Sequence, residues 1–198
     1  KVACQELGLR LQDRWLISVG RLDHNKGQWL ILEALKKIGL KELQRRQMKL
    51  AFIGQGEDRE KLEASSHASG FQQIVHFAGQ LPPEKICTWY NAAEVKILAS
   101  RREGSPNVVL EALACGTPVV ASRAGRNALV IQEGKQGFLF PPEDAEALKA
   151  AILRSLDHTW DRQEIASSGS GRGWAAGAGE VDIFKAAQRF LSRFVPDG

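Results

Sequence analysis

Short apolar runs alternate along the chain with longer stretches in which apolar residues recur every three or four positions. Each run is only four or five residues long and is bounded by glycine or polar residues, which is typical of buried β-strands. The runs cover residues 15–19, 49–53, 74–78, 95–99, 118–121 and 137–140. The stretches between them predict helices over about 27–38, 57–69, 83–93, 106–115 and 143–156.

This alternation determines the predicted fold class. Strands joined by helices of this length form βαβ units, in which the strands run parallel and the helices cover both faces of the sheet. The right-handed crossover of such units favours a doubly wound arrangement. We therefore predict an α/β fold, with a Rossmann-like, doubly wound parallel sheet of about six strands, in a single domain over residues 1–198.

The two ends of the chain are patterned differently from its middle. Residues 1–13 are typical of the end of a helix and a turn, so we expect no further domain before the first strand. Residues 166–179 are rich in glycine, alanine and serine and predict a loop. Apolar residues then recur at helical spacing and predict a closing helix over 180–195.

Composition and charge narrow the classes of function. With 43% apolar and 25% charged residues, the chain is neither disordered nor collagen-like. Its cysteines are far apart, which favours a reducing, cytoplasmic location, and its histidines are scattered, so we expect no metal centre. The net charge of +4 is too small to predict a nucleic-acid partner, but it suits an anionic ligand or peripheral contact with an anionic membrane.

The loop after the first strand carries positive charge where ligands usually bind, because open α/β sheets bind ligands outside the carboxyl ends of their strands. Gly20 allows the backbone to turn sharply, and Arg21 and Lys26 follow within the same loop. An arginine fork and a lysine point charge could together hold one anionic ligand. Two solvated basic residues of a turn are the alternative, and the residues alone leave both interpretations open.

The loop after the second strand contains Gly54 and Gly56 in a glycine-x-glycine pattern. A dinucleotide fingerprint needs a third glycine where Arg59 stands, and it belongs after the first strand. The pattern therefore favours a tight turn over a site for a nicotinamide dinucleotide.

The segment before the fourth predicted helix provides a second place for an anion. Ser105 is a good N-cap and Pro106 a good first helical residue, so we expect the helix to begin there. The open backbone amides of Asn107 and Val108, together with the helix dipole, form a natural seat for a phosphate.

Two carboxylates lie on either side of this phosphate seat. Glu111 is the only charge in an otherwise apolar helix, and it lies one turn after Asn107 on the same face. Glu103 lies in the loop before the helix. One carboxylate could bind ribose hydroxyls and the other the hydroxyls of a sugar. A structural role for Glu111, paired with an arginine or with backbone amides, is the alternative.

The two segments together resemble a known family. The segments S-V-G-R-L-D-H-N-K-G (18–27) and E-G-S-P-N-V-V-L-E-A-L-A-C-G-T-P-V-V-A-S (103–122) are similar to the motifs of the group 1 retaining glycosyltransferases, and the resemblance extends over about residues 13–156. It implies a GT-B architecture, in which two Rossmann-like domains enclose the active site. This chain would be the carboxyl-terminal, donor-binding half, with the amino-terminal acceptor domain absent from it.

The resemblance also implies roles for individual residues. Arg21 and Lys26 would stabilise the leaving diphosphate in place of a metal, and Glu103 would hold the transferred sugar, which makes these three the implied catalytic residues. Glu111 would bind the ribose, and Leu81 would contact the base through its backbone. The other implied donor-binding residues are Gly20, Ser105, Pro106, Asn107 and Val108.

The activity implied by the resemblance is a retaining sugar transfer from a nucleoside-diphosphate sugar, without a metal or other cofactor. The donor would be linked to uridine, guanosine or adenosine diphosphate, and the pathway would be polysaccharide or glycolipid synthesis. The chain alone would be incomplete and inactive. A non-catalytic nucleotide-sugar-binding module and a nicotinamide-dependent oxidoreductase are the alternatives, and an epimerase of the same architecture would differ in the fate of the sugar.

Overall fold

The structure is a computed structural model, and it describes residues 2–104 and 107–170. Its strands are β1 Arg14–Val19, β2 Met48–Ile53, β3 Val75–Gly79, β4 Val95–Leu98, β5 Val119–Ser122 and β6 Gly137–Phe140. Its helices are α1 Val2–Glu6, α2 Gln28–Ile38, α3 Leu40–Arg45, α4 Arg59–Ala68, α5 Pro83–Ala92, α6 Asn107–Ala114, α7 Asn127–Val130, α8 Ala145–Asp157 and α9 Arg162–Ser170, with a 3-10 turn at His24–Lys26.

The strands form one parallel sheet in the order β3-β2-β1-β4-β5-β6. Each strand begins and ends within one residue of its predicted range, and the predicted Rossmann-like, doubly wound fold is confirmed. The strand order reverses between β1 and β4, which places the loops after these two strands side by side at the switch point of the sheet. Arg21, Lys26 and Glu103 lie in these two loops.

The sheet separates two apolar cores, because successive strand residues point to opposite faces. Leu16, Leu50 and Phe52 belong to the first core, which α2 and α8 cover, whereas Ile17 and Val119 belong to the second core, which α5, α6 and α9 cover. All of these side chains are fully buried. Burial on both faces explains why the strands are visible in the sequence as short, nearly continuous apolar runs.

Helix α9 corrects one prediction. The sequence predicts a loop over 166–179, but residues 166–170 continue the helix that begins at Arg162. The Arg162 guanidinium donates to the carbonyl of Ala93 at the end of α5, and Ile165 is buried in the second core. These tertiary contacts hold in a helix a segment whose glycine and serine content, taken alone, favours a loop.

The rest of that predicted loop, and the closing helix predicted over 180–195, lie outside the described residues. The single domain over residues 1–198 therefore stays a prediction. The sequence patterns missed the 3-10 turn, α3 and α7, each of which is too short to show a helical period. None of the described helices is long and apolar enough to cross a bilayer.

Lys96 is the least expected residue of the sheet. It lies on the central strand β4 between Val95 and Ile97, and its side chain is fully buried on the opposite face from theirs. Within the described part of the chain, its Nζ atom has no hydrogen-bond partner. Burial disfavours the ammonium form and lowers the pKa of Lys96 to about 7, although nearby carboxylates oppose this effect in part.

We expect Lys96 to make the stability of the fold depend on pH. Unfolding exposes the amine and restores a pKa of about 10.4, so between about pH 7 and 10 the unfolded chain binds more protons and stability rises with pH. From pH 7 to pH 9 the free energy of unfolding should rise by about 2 kcal/mol more in the wild-type chain than in Lys96→Met. Chemical denaturation at both pH values measures this difference.

The matched control for this experiment is Lys61, whose side chain is 81% exposed. Lys61→Met should follow the wild-type pH dependence, because an exposed side chain loses little contact with water on folding. Equal pH dependences of the wild-type chain and Lys96→Met would show that folding displaces no proton from Lys96.

Candidate functional site

The loop between β1 and α2 is shaped by two glycines. Gly20 has φ 139° and Gly27 has φ 69°, both in the region that favours glycine. A side chain at position 27 would overlap the carbonyl of Ala99, so the loop approaches the end of β4 closely only with glycine there. Asp23 caps the 3-10 turn by accepting a hydrogen bond from the Lys26 amide at 2.9 Å. These contacts place Lys26 against the loop after β4.

Lys26 and Glu103 form an ion pair across the switch point of the sheet. Lys26 Nζ lies 3.0 Å from Glu103 Oε2, which also accepts a hydrogen bond from Ser100 Oγ at 3.1 Å. The Glu103 side chain is only 6% exposed, so its carboxylate needs these partners. The Lys26 side chain is 27% exposed and can reach an external anion. Two residues expected to bind different parts of a donor thus bind each other in this structure.

A layer of buried polar groups supports the Glu103 loop. Ser122 Oγ donates to the carbonyl of Ser100 at 2.6 Å, and Asn127 Nδ2 donates to the carbonyl of Ser122 at 2.9 Å. Gly125, with φ 56°, lies so close to the Glu103 carbonyl that a side chain there would overlap it. These contacts from β5 and the residues that follow it therefore fix the backbone of the loop that carries Glu103.

Arg21 lies in the same region but apart from the ion pair. Its carbonyl accepts a hydrogen bond from the buried Gln28 side chain at 2.8 Å, whereas its guanidinium side chain is 77% exposed and lies 3.8 Å from the Asp23 carboxylate. A cavity of about 900 Å³ opens beside it. The cavity is lined by Arg21, Asp23, His24, Asn25, Gly56, Glu57, Arg101, Arg102 and Glu143, which follow the carboxyl ends of strands.

The glycine-x-glycine pattern after β2 is explained by packing between loops. A side chain at Gly54 would overlap the carbonyl of Gly20, and one at Gly56 would overlap the carbonyl of Leu22. The Leu22 carbonyl also accepts a hydrogen bond from the Asp58 amide at 3.1 Å. The two glycines let the second loop dock on the first, which accounts for both of them without a dinucleotide.

Glu111 has a partner that the sequence does not suggest. The hydroxyl of Tyr90, on α5, lies 3.1 Å from Glu111 Oε2 and 3.2 Å from the carbonyl oxygen of Val108. Tyr90 is fully buried, and burial together with the nearby Glu111 carboxylate raises the pKa of its hydroxyl well above the ordinary value. The hydroxyl therefore stays protonated and can donate to the carboxylate. Only the packing of α5 on α6 brings these two residues together, across 21 positions of sequence.

The other predicted donor-binding residues lie around this centre. Asn107 and Val108 form the first turn of α6, where the phosphate seat was predicted. Ser105 and Pro106 lie outside the described residues. Leu81 lies in the loop after β3 and is partly buried against the second core, with β2 between its strand and β1. Among the residues that the structure describes, no three histidine, cysteine, aspartate or glutamate side chains are grouped so that they could hold a metal ion.

Gly125→Ala should disturb the Glu103 loop, because alanine disfavours φ 56° and its Cβ would overlap the Glu103 carbonyl. The two effects together should lower the free energy of unfolding by about 2–4 kcal/mol. Gly104→Ala is the matched control, since an added Cβ there meets no atom of the described residues within 4 Å; its effect should stay below about 0.5 kcal/mol. Urea denaturation measures both, and equal effects would contradict the close approach at Gly125.

The sequence and the fold are both similar to those of known proteins. A family model described as "Glycosyl transferases group 1" matches residues 3–171. The chain is 32% identical over 158 residues to D-inositol 3-phosphate glycosyltransferase of Corynebacterium jeikeium, a match that covers 75% of this chain and 38% of that protein. It is 34% identical over 169 residues to a sulfoquinovosyl transferase of Arabidopsis thaliana, covering 81% of this chain and 31% of that protein.

Among solved structures, the chain is similar to sucrose-phosphate synthase from Thermosynechococcus elongatus. The TM-score is 0.72 and the sequence identity 27%, over 97% of this chain and 47% of that one. The chain thus spans less than half the length of each of these three relatives. Because the family match covers most of the chain and includes both motif segments, the chain belongs to the glycosyl transferases group 1 family.

Proposed function

We propose that this chain is the donor-binding half of a retaining glycosyltransferase, which transfers a sugar from a nucleoside-diphosphate sugar to an acceptor. The observation that carries the proposal is the Lys26–Glu103 ion pair at the switch point of the sheet. There a partly exposed cation, suited to a diphosphate, stands beside a buried carboxylate, suited to sugar hydroxyls. The glycosyltransferase names of the bacterial and plant relatives support this activity.

The diphosphate would bind between the loop after β1 and the start of α6. Lys26 supplies one positive charge and the exposed guanidinium of Arg21 a second. The first-turn amides of Asn107 and Val108 and the dipole of α6 add to this attraction. As the bond to the sugar breaks, negative charge develops on the leaving diphosphate, and these groups stabilise it. The proposed transfer is therefore independent of metal ions.

The hydroxyl groups of the donor would be bound by the two carboxylates. Glu111 would hold the ribose, with the Tyr90 hydroxyl fixing the orientation of its carboxylate. Glu103 would hold the transferred sugar, with Ser100 fixing one of its oxygens. The loop after β3 would contact a uridine, guanosine or adenosine base through backbone atoms at Leu81. The two carboxylate roles each use a side chain whose position a hydrogen bond already restricts.

The complete enzyme would bind its acceptor in a cleft between this half and an amino-terminal domain, so this chain alone would be inactive. In the proposed front-face mechanism, the leaving phosphate accepts the proton of the acceptor hydroxyl on the same face of the sugar, which retains the anomeric configuration. The enzyme would act in the cytoplasm in polysaccharide or glycolipid synthesis, with a peripheral contact to an anionic membrane that the net positive charge of this chain favours.

Lys26→Met should weaken the binding of a nucleoside diphosphate. Calorimetric titration of the chain with UDP, GDP and ADP in EDTA should show saturable binding of at least one of them. Loss of a charged hydrogen bond of about 1.5–3 kcal/mol should raise the Kd roughly 10- to 100-fold. Lys61→Met, which changes an exposed lysine on α4, should leave the Kd unchanged.

Because Lys26→Met also deprives Glu103 of its counter-ion, the double variant Lys26→Met/Glu103→Gln separates the two effects. The double variant should be at least as stable as the single one and should still bind the diphosphate weakly. If the wild-type chain binds none of the three diphosphates, or if EDTA abolishes binding, the proposal is wrong.

Glu111→Gln should reduce recognition of the ribose. The wild-type chain should prefer the diphosphate that it binds to the 2′-deoxy analogue by roughly 10- to 100-fold, since a hydrogen bond to a charged group contributes about 1.5–3 kcal/mol. This preference should shrink in Glu111→Gln and persist in the control Glu146→Gln, which changes an exposed carboxylate on α8. The same calorimetric titration measures both, and an unchanged preference in Glu111→Gln would refute the ribose role.

A further inference from the structure

Lys96 is a buried basic residue that the proposed function does not use. It lies on β4, the strand that leads into the loop carrying Glu103, and its side chain is fully buried. Its Nζ atom has no hydrogen-bond partner among the residues that the structure describes. A buried amine without a hydrogen-bond partner lowers the free energy of unfolding. Because Lys96 lies on the strand that leads into the Glu103 loop, its position suggests a role in the proposed donor site.

The charges that act on Lys96 are those of the proposed donor site. The carboxylates of Glu103, in the loop after β4, and of Glu111, on α6, favour its ammonium form, whereas Lys26 opposes it. From α5, Tyr90 contributes a buried hydroxyl that stays protonated. The residues that pair with Lys96 on β1 and β5 are apolar. Cys87 on α5, Cys115 after α6 and Arg162 on α9 are further titratable groups on this side of the sheet, and His76 on β3 lies there too, stacked on Trp89.

We propose that Lys96 is a positioning residue, which takes up a proton from solvent when the diphosphate of the donor binds. This inference rests on the proposed function, because it starts from the transfer of Lys26 to the diphosphate. When Lys26 Nζ leaves Glu103 Oε2, the buried carboxylate loses its counter-ion. The neutral amine of Lys96 then binds one proton and becomes an ammonium, which restores a positive charge near Glu103.

Each step of donor binding favours this protonation. The departure of Lys26 removes a repelling charge, and the unpaired carboxylate and the diphosphate add attraction. In the free chain the pKa of Lys96 is about 7, so at pH 8 most of the amine is neutral and can accept a proton. The resulting ammonium holds the Glu103 carboxylate in place for a sugar hydroxyl, so Lys96 acts through Glu103.

Proton uptake links the affinity for the donor to pH. Because the bound form holds more protons than the free form, the affinity falls as the pH rises above about 7, by up to roughly tenfold per pH unit while one proton is taken up. At pH 8 the terminal phosphate of the nucleotide, whose pKa is about 6, is already ionised and contributes no proton. Any proton taken up on binding at pH 8 is therefore bound by the protein and not by the nucleotide.

The experiment is a calorimetric titration of the chain with UDP, GDP and ADP at pH 8, in two buffers of different ionisation enthalpy. The difference in heat between the buffers gives the number of protons taken up on binding. We expect about 0.9 proton for the wild-type chain and for the control Lys61→Met. We expect none for Lys96→Met, and none for Lys96→Leu, which repeats the test with a second apolar side chain.

A titration of the lysine side chains by NMR tests the same electrostatic coupling without ligand. Glu103→Gln should lower the pKa of Lys96, because the carboxylate favours the ammonium form. Lys26→Met should raise it, because a repelling positive charge is removed. A pKa that neither variant changes would overturn the inference.

The outcomes separate this inference from the proposed function. Binding of a diphosphate without proton uptake overturns the inference alone, and so does an uptake that persists in Lys96→Met. If none of the three diphosphates binds to the wild-type chain, the proposed function is wrong and the inference falls with it.

Discussion

The site depends on a buried carboxylate that must always have a partner. Glu103 is almost completely removed from water, and the burial of its carboxylate is tolerated because Lys26 and Ser100 contact it. This requirement brings together the loops after β1 and β4, which come from opposite halves of the doubly wound sheet. Gly27 permits the close approach from one side and Gly125 from the other. The backbone of the site is thus arranged around one charge.

Under the proposed function, a ligand that binds Lys26 therefore has to replace Glu103 as its partner. At the rim of the cavity, Arg101 is paired with Glu143 at 3.0 Å, and these two exposed side chains can part at little cost. The Lys26–Glu103 pair is different, because separation of its members leaves a buried charge behind. Under the proposed function, the donor diphosphate must therefore attract Lys26 strongly enough to offset this cost.

The sequence predicts the sheet well because strands that are buried on both faces are visible in the sequence as short, nearly continuous apolar runs. It also predicts that Arg21, Lys26 and Glu103 lie at one edge of the sheet, since they follow strands whose carboxyl ends lie together, and their donor-binding roles stay predictions. The partner of Glu111 could not be predicted in this way, because Tyr90 belongs to a neighbouring helix and lies 21 positions away in the sequence.

Helix α9 was missed for a related reason. Its composition favours a loop, and what holds it is a contact between Arg162 and the end of α5, which lies about 70 residues earlier. An aspartate cap was available as a local signal, because the amides of Gln163 and Glu164 bond to the side chain of Asp161. Local sequence patterns thus predict elements that have a clear apolar pattern of their own. They fail for elements, such as α9, that depend on a contact with a residue far away in the sequence.

Lys96, buried in β4, lowers the stability of the fold and makes that stability depend on pH. An amine with no hydrogen-bond partner among the described residues weakens the native state at neutral pH, so laboratory selection for a higher melting temperature would favour an aliphatic residue at position 96. Such a descendant would keep the same architecture and surface. It would lose the pH dependence of stability that Lys96 causes and, under the proposed function, the pH dependence of its affinity for the donor.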